Sequence, residues 1–299
     1  MQACRRWGRA TMAVALVVMA LGAGCARGAK LSAAEIVAKN VDTRGGLEAW
    51  RKIQTMVWTG HIESANVPAP GRQFSGLKFT LEQKRPNKTR MEIVAAGEKS
   101  VRVFGGAQGW RLRLAHGQPQ VQPFTPQELK FAQAGHGIDG PLIDSAAKGN
   151  SVTLEGVDEI VTEIGARKAY HLNLRLANGD NEDVWVDMET WLDLRYDRPA
   201  DVPAGAPRRV STTYADYHTV EGVQIPFVVE TGVGPGATPD KLLIDRVTLN
   251  APLDDSTFEN PADPRSRRGT LPNFAPRALV PTPPSTSAGA ASDERGSAP

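Results

Sequence analysis

The chain has 299 residues, of which 40% are hydrophobic and 23% are charged, and its formal net charge is +2. This length suffices for one large domain or two small ones with a proper hydrophobic core. Because the charges nearly balance, a basic nucleic-acid-binding protein is excluded as the default interpretation, since phosphate binding requires a cluster of excess basic residues. Only 2 cysteines and 5 histidines argue against a disulfide scaffold or a cysteine-rich zinc module.

The N-terminus has the features of a bacterial export signal. Three arginines within the first nine residues precede an uncharged run over 10–24. That run is short for a membrane span, which needs about 20 apolar residues, but it suits the apolar core of a secretory signal. We therefore assign residues 1–24 to a signal peptide and residues 25–31 to a short linker.

Small residues directly before Cys25 resemble a bacterial lipobox. In such a motif the cysteine thiol takes a diacylglycerol and becomes the mature N-terminus, so Cys25 is predicted to be lipidated. Because Ala26 follows it rather than an acidic residue, bacterial analogy favours anchoring to the outer membrane, facing the periplasm. The alternative is cleavage by the ordinary export peptidase near Ala23 or Ala26, which would leave a soluble periplasmic protein.

The remaining sequence predicts one helix followed mostly by strands. Ser32 and Glu35 form a capping box, and Gly45 and Gly46 end the helix that follows. From residue 56 apolar and polar residues alternate between turn sequences, which is typical of an antiparallel meander. We count about eleven or twelve strands, and a sheet of that size tends to curl. The predicted fold is mainly β (α+β): a curved, incompletely closed antiparallel β-barrel with an N-terminal helix and a helical lid.

A helical insert interrupts the strands at residues 125–149. Thr125 and Glu128 form a second capping box with Pro126 at the first helical position, and glycines break the segment further on. We expect this insert to cover one mouth of the barrel as a lid. The folded domain is predicted to span 32–264. Residues 265–299 are rich in Pro, Ser and Ala without apolar periodicity, so we expect them to be disordered and to add nothing to the fold.

Three segments of the second half resemble the LolA/LolB-like lipoprotein-carrier superfamily. They are 186–190 (VDMET) with 194–195, 214–218 (YADYH) leading into 221–227, and 250–258 (NAPLDDSTF). The resemblance covers most of residues 31–261. It implies a curved barrel with a helical lid, an apolar interior that holds acyl chains, and a role as a chaperone in sorting lipoproteins to the outer membrane. Since a carrier that shuttles through the periplasm is not itself anchored, Cys25 favours an acceptor or a stationary lipid binder.

The sequence carries no motif that indicates catalysis. It lacks a G-x-S-x-G elbow and a P-loop, and its histidines are far apart, so neither a metal nor a cofactor is expected. The G-x-G-x-x-G sequence at 135–140 opens no βαβ unit, and we interpret it as a glycine hinge. Asp187 and Glu189 lie two residues apart on a predicted strand and could act together in acid–base catalysis, but we favour the interpretation that they are solvated acids of a turn.

The leading interpretation is a monomeric, non-enzymatic envelope lipoprotein that binds acyl chains or lipoproteins in a hydrophobic cavity. It would contact the membrane through its lipid anchor and would not bind nucleic acid. The alternative is a membrane-anchored periplasmic sensor or scaffold that uses the same fold to bind a protein partner.

On each predicted strand the apolar residues occupy every second position, so their side chains point to one face of the sheet, which we predict to be the cavity side. We expect seven strand residues to point inward: Trp58, Phe79, Leu81, Met91, Ile93, Trp110 and Leu112. Three residues of the insert are expected to close the mouth: Phe131, Ile138 and Leu142. Four residues at the intervening positions of these strands are expected to face water: Lys78, Glu82, Arg90 and Arg111.

Overall fold

A computed structural model of the chain describes residues 31–63, 77–95, 98–115, 118–200, 209–234 and 238–263. The predicted signal peptide, Cys25 and the predicted disordered tail lie outside the described residues. Within the described ranges the helices are α1 (Ala33–Thr43), α2 (Leu47–Lys52) and α3 (Pro126–Gln133), with a 3-10 turn at Asp255–Phe258.

The described residues also form thirteen strands. They are β1 (Thr55–Glu63), β2 (Leu77–Lys84), β3 (Lys88–Ala95), β4 (Glu98–Phe104), β5 (Gly109–Ala115), β6 (Gln118–Pro123), β7 (Ser151–Thr162), β8 (Gly165–Arg175), β9 (Asn181–Asp187), β10 (Asp193–Pro199), β11 (Arg209–Val220), β12 (Val223–Val233) and β13 (Asp240–Leu249). All of them belong to one sheet in the order β6-β5-β4-β3-β2-β1-β13-β12-β11-β10-β9-β8-β7. The predicted fold class, a curved and incompletely closed antiparallel sheet with few helices, is confirmed.

The sheet has thirteen strands, one or two more than the eleven or twelve predicted. The strands that no apolar run in the sequence indicated, β6 and β7, are the two edges of the sheet. Strand β6 begins and ends near prolines 119 and 123 and has no buried residue, as suits an edge strand. Strand β7 is half exposed along one side, so its pattern is weaker than that of the central strands.

One short helix shows how strongly the sheet curves. Glu128 of α3 lies 3.2 Å from guanidinium nitrogens of Arg102 on β4 and Arg111 on β5. Three residues further on, Phe131 packs against Arg198 on β10. In the sheet order β4 and β10 are seven steps apart, which would be about 34 Å in a flat sheet. An eight-residue helix is only about 12 Å long, so the sheet must curl around it.

Strand alternation gives the sheet an inner face, which carries the helices, and an outer face. On β1, Met56 points to the inner face, where it packs with Trp50 and Ile53. Val57 points to the outer face and packs with Phe258 of the 3-10 turn. The chain after β13 therefore runs along the outer face, while α1, α2 and the residues after α3 cover the inner face.

Helix α1 forms as the sequence predicts and closes the other half of the inner face. The oxygen of Ser32 accepts a hydrogen bond from the Glu35 backbone, and Glu35 bonds back to the Ser32 backbone N–H at 2.8 Å. Ile36 is fully buried against apolar residues of β8 and β9 such as Leu172 and Val184. The capping box thus starts the helix where its apolar stripe meets the sheet.

Candidate functional site

The helices cover the apolar inner face only in part. Trp50 of α2 and Ile143 after α3 are at most 1% exposed and bury one region of this face. Along β12, burial then declines from Ile225, which is 1% exposed, to Phe227 and Val229, which are half-buried. An apolar surface therefore remains partly open on the inside of the curved sheet.

The half-buried side chains form one continuous surface, which we name the inner apolar surface. Cross-strand pairing places Trp58 of β1 beside Leu81 of β2, and Leu81 beside Met91 of β3. The members are Trp58, Leu77, Leu81, Met91, Ile93, Phe227, Val229 and Leu242, all packed against the same buried cluster. Burial of a hydrocarbon chain on such a surface gains about 0.8 kcal/mol per methylene group.

The indole N–H of Trp58 is a polar group within the inner apolar surface. Its Nε1 is buried and has no hydrogen-bond partner among the described residues. By contrast, Nε1 of Trp50 donates to the backbone oxygen of Arg44 at 2.8 Å. An unpaired buried donor costs about 1 to 3 kcal/mol, so the N–H group of Trp58 lowers the stability of the folded protein.

Helix α3 closes the gap between the two halves of the sheet. Its Glu128 reaches β4 and β5, and its Phe131 reaches β10, as described above. Beneath it lies a cavity of about 260 Å³ whose lining includes Arg102, Phe131, Val210 and Val233. The insert therefore occupies the position expected of a lid over the opening of the inner face.

A buried polar cluster fixes the residues that follow α3. Nε2 of His136 contacts the carboxylate of Glu182 and lies 3.0 Å from the hydroxyl of Tyr196. Burial, and next the Glu182 carboxylate, raises the pKa of Tyr196, so the hydroxyl stays protonated. No local sequence pattern indicates this cluster, because Glu182 and Tyr196 are 46 and 60 positions from His136.

A second buried cluster joins α1 to β10 and to the insert. Arg44 donates to the carboxylate of Asp193 and to the backbone oxygen of Asp139, both at 3.2 Å. Asn40 of α1 donates to the same Asp193 carboxylate at 3.0 Å. Burial raises the pKa of Asp193, although Arg44 and Asn40 act in the opposite direction. Together with the His136 cluster, these contacts hold the helical cover on the inner face.

Six of the ten predicted cavity residues lie together. Trp58, Phe79, Leu81, Met91 and Ile93 all point to the inner face of β1–β3, and Ile138 of the insert belongs to the same cluster. Phe79 and Ile138 are buried, at 2% and 7% exposed, while the other four are half-buried. The alternation in β1, β2 and β3 therefore predicted one shared face.

The expected inward orientation of Trp110 and Leu112 is wrong. Val101 of β4 pairs with Leu112 and Val103 pairs with Trp110, and all four pack on the outer face near Phe258. On the inner face of β4 and β5 stand Arg102 and Arg111 instead. Alternation identifies the apolar side of a strand, but it does not show to which face of the sheet that side belongs.

The remaining predicted residues occupy other environments. Leu142 is fully buried in the α1 cluster over β8 and β9. Phe131 is 39% exposed with the Arg198 guanidinium over its ring. Arg111, expected to face water, lies on the inner face and contacts Glu128.

Lys78, Glu82 and Arg90 do lie on the outer face, but of the three only Lys78 is exposed to water. The Arg90 side chain is 12% exposed. Glu82 is 2% exposed and accepts a hydrogen bond from Arg90 at 2.9 Å. Burial raises the pKa of Glu82, and the charge of Arg90 opposes that effect. The C-terminal segment that covers the outer face of β1 and β4 explains why acids there are shielded from water.

Asp187 serves the turn after β9. It is fully buried and accepts hydrogen bonds from Arg167 at 2.9 and 3.0 Å and from the Glu189 and Thr190 backbones at 2.8 Å. Glu189 is exposed and contacts the same Arg167. The predicted turn role is therefore correct, and Glu189 is solvated as expected, but the expectation of a solvated acid is wrong for Asp187, which is buried against Arg167.

No group of three or more His, Cys, Asp and Glu side chains in the described ranges is arranged to hold a metal ion. Within the same ranges, no helix has both the length and the apolarity needed to cross a membrane.

Comparison with known proteins gives structural likenesses only. No family model matches the chain, and no curated protein matches it. A LolA superfamily protein from Nitrosomonas europaea is 12% identical, with a TM-score of 0.48 over 77% of this chain and 99% of that one. A domain named for outer membrane lipoprotein sorting, from Vibrio parahaemolyticus, is 11% identical with a TM-score of 0.48 over 75% and 95%. A DUF1329 family protein from Desulfovibrio piger is 13% identical with a TM-score of 0.46 over 75% and 97%.

Proposed function

We propose that this chain is a non-enzymatic envelope protein that binds acyl chains, free or attached to lipoproteins, on its inner apolar surface. The observation that carries the proposal is the set of half-buried aliphatic and aromatic side chains on the inside of the curved sheet. Such residues are normally either buried in a core or covered by a partner, because large exposed apolar patches are rare in monomers. A hydrocarbon chain supplies that cover without any catalytic group.

The position of the insert supports the same proposal. Helix α3 lies over the opening between β4 and β10 and is held by side-chain contacts rather than by strand pairing. Such a segment can move aside at a smaller cost than any strand of the sheet, since local opening involves few contacts. Ligand entry past α3 is therefore compatible with an intact sheet.

Uptake of a fluorescent fatty acid by the delipidated full-length chain tests the proposal. We expect saturable uptake by the wild type. Leu81→Asn places a polar group on the inner apolar surface and should weaken the apparent affinity about ten- to a hundredfold, since the lost apolar contact is worth about 1.5 to 3 kcal/mol. Thr80→Asn changes the neighbouring residue, which points to the outer face of the same strand, and should leave the affinity unchanged.

Two results would contradict acyl-chain binding. Absence of saturable uptake by the delipidated wild type would favour the anchored sensor or scaffold, which needs no open interior. Equal affinities of the Leu81→Asn and Thr80→Asn variants would place the binding site elsewhere. Circular dichroism of each variant controls for loss of the fold.

The proposed location rests on the N-terminal sequence. We place the protein in the outer membrane, facing the periplasm, through a lipidated Cys25, because a multiply acylated cysteine anchors stably. Cys25→Ser should release the chain into the soluble periplasmic fraction. A wild-type chain that is already soluble, with a mature N-terminus after Cys25, would instead establish ordinary export.

A further inference from the structure

A second cavity lies on the outer face, away from the inner apolar surface. Pairing between β8 and β9 begins at Ala169, but the β7–β8 hairpin continues to its tip at Thr162 and Gly165. Glu163 at the tip accepts a bond from Nζ of Lys241 on β13 at 2.5 Å, so the hairpin arches over β11 and β12. The cavity beneath the hairpin has a volume of about 550 Å³, which is in the range of small-molecule ligand sites.

The cavity has an apolar floor and an apolar rim. Leu194, Ala215 and Val228 contribute to its lining. At the rim, Val161 and Ile164 are 81% and 85% exposed. Exposed apolar side chains that continue into a cavity mark a surface that a partner covers.

The charge around the cavity is predominantly negative. Four acidic side chains line it, Glu163, Asp187, Asp216 and Glu230, together with the basic side chain of Arg167. Arg167 is engaged with Asp187, and Lys241 with Glu163 and Glu230. A complementary occupant would combine apolar side chains with positive charge.

The chain itself contains such a segment shortly after the last described residue. Residues 265–280 (RSRRGTLPNFAPRALV) include four arginines, no acidic residue, and the apolar side chains of Leu271, Phe274, Leu279 and Val280. We propose that residues 265–280 bind the outer-face cavity of the same molecule, with their apolar side chains against the rim and their arginines beside the acids that line the cavity.

The path of the C-terminus makes this binding geometrically feasible. Phe258 packs on Val57 and Val103, so the chain leaves the described region on the outer face, the same face that carries the cavity. From β4 to β12 there are five strand steps, about 24 Å across the sheet. Seventeen extended residues, 264–280, span up to about 55 Å. The tail is therefore long enough to cross the outer face and enter the cavity.

Trypsin cleavage of the full-length chain, followed by mass spectrometry, tests the proposal. Trypsin cuts after Arg268 and Arg277 inside the segment and after Arg295 beyond it. The cleavage rate at each of these bonds in the full-length chain is divided by the cleavage rate of the same bond in a synthetic peptide of residues 264–299. We expect cleavage after Arg268 and Arg277 to be slowed about tenfold and cleavage after Arg295 to be unaffected, since proteolysis follows the population of the released segment.

Two matched variants locate the binding surface. Ile164→Lys removes an apolar rim residue that is 85% exposed, so the fold tolerates it, and the added cation repels the arginines. It should abolish the protection of Arg268 and Arg277. Gln118→Lys adds the same charge at an exposed position of β6 and should leave the protection intact. Raising the salt to about 0.5 M should weaken the protection by screening the charges.

Three outcomes would overturn the proposal. Equal normalised rates at Arg268, Arg277 and Arg295 in the wild type would show that the segment is free. Protection that survives Ile164→Lys would place the segment on another surface. Protection that disappears on dilution of the protein would show that the tail of a second copy occupies the cavity.

Discussion

The guanidinium of Arg198 on β10 lies 3.6 Å from the centre of the Phe131 ring on α3. Burial lowers the pKa of Arg198, so the ring face supplies part of the stabilisation that water would otherwise give to this cation. With Glu128 bound to Arg102 on β4, the contact makes α3 a bridge between two parts of the sheet that no strand pairing joins.

Phe131→Ala should loosen this bridge without unfolding the sheet. Loss of the cation–π contact costs about 1 to 2 kcal/mol, and the effect should appear as faster amide hydrogen exchange in α3 with unchanged exchange in β1. Val161→Ala, at an exposed position of the β7–β8 hairpin, is the control and should leave both regions unchanged. Unaltered exchange in α3 of the Phe131 variant would contradict the bridging role.

The two tryptophans at the inner face should respond differently to removal of their N–H groups. Trp50→Phe breaks the hydrogen bond to the Arg44 backbone and should lower the free energy of unfolding by about 1 to 3 kcal/mol beyond the loss of ring volume. Trp58→Phe removes a donor that has no partner in the described region and should cost less. Urea denaturation measures the free energy of unfolding of each variant. An equal decrease in the two variants would be inconsistent with an unpaired N–H group on Trp58.

Asp187→Asn should destabilise the protein in a pH-dependent manner. Burial raises the pKa of Asp187, but the hydrogen bonds from Arg167 and from the Thr190 and Glu189 backbones outweigh it and hold the pKa below 3.8. A lowered pKa in the folded state means that this stabilisation is present above pH 3.8 and is lost as the pH falls through the folded-state pKa. We expect the variant to lose about 1 to 3 kcal/mol at pH 7 and the difference from wild type to narrow towards pH 2.

Glu189→Gln is the control for that experiment. The Glu189 side chain is 81% exposed and shares the same Arg167, so its replacement should change the free energy of unfolding by less than about 0.5 kcal/mol. A loss as large as that of the Asp187 variant would assign the stabilisation to surface charge rather than to the hydrogen bonds of Asp187.

Gly60→Ala should destabilise the junction between β1 and β13. A Cβ atom at Gly60 would stand 2.0 Å from the backbone oxygen of Leu243, so the two strands would have to separate at a cost of about 3 kcal/mol. Gly156→Ala on β7 has nothing within 4 Å of the added Cβ and should be neutral or stabilising by up to about 1 kcal/mol. Thermal unfolding measures the melting temperatures of both variants. Similar melting temperatures for Gly60→Ala and Gly156→Ala would contradict the prediction.

The parts of the fold set by local chemistry could be predicted from the sequence. The capping boxes at Ser32 and Thr125 start α1 and α3 where they were expected, because capping involves residues only three positions apart. The Asn178-Gly179 pair, a sequence typical of tight hairpin turns, separates β8 from β9, and Gly179 has a φ of 90°.

Features that depend on distant residues were not predictable in the same way. Trp110 and Leu112 alternate as clearly as the residues of β2, yet their apolar side meets Phe258, far along the chain, on the outer face. His136 finds Glu182 and Tyr196 only after the sheet has formed. A single sequence shows each residue's polarity, but it does not show which distant segment will lie against it.

The order of the strands has a consequence for how the protein folds. Every neighbouring pair in the sheet joins strands consecutive in the chain except β1 and β13, whose paired residues Met56 and Leu249 are separated by most of the domain. The meanders β1–β6 and β7–β13 need only short loop closures, which are fast, whereas the β1–β13 ladder must close a very long loop. Folding is therefore expected to have its slow step at this ladder, and Gly60 lies within it.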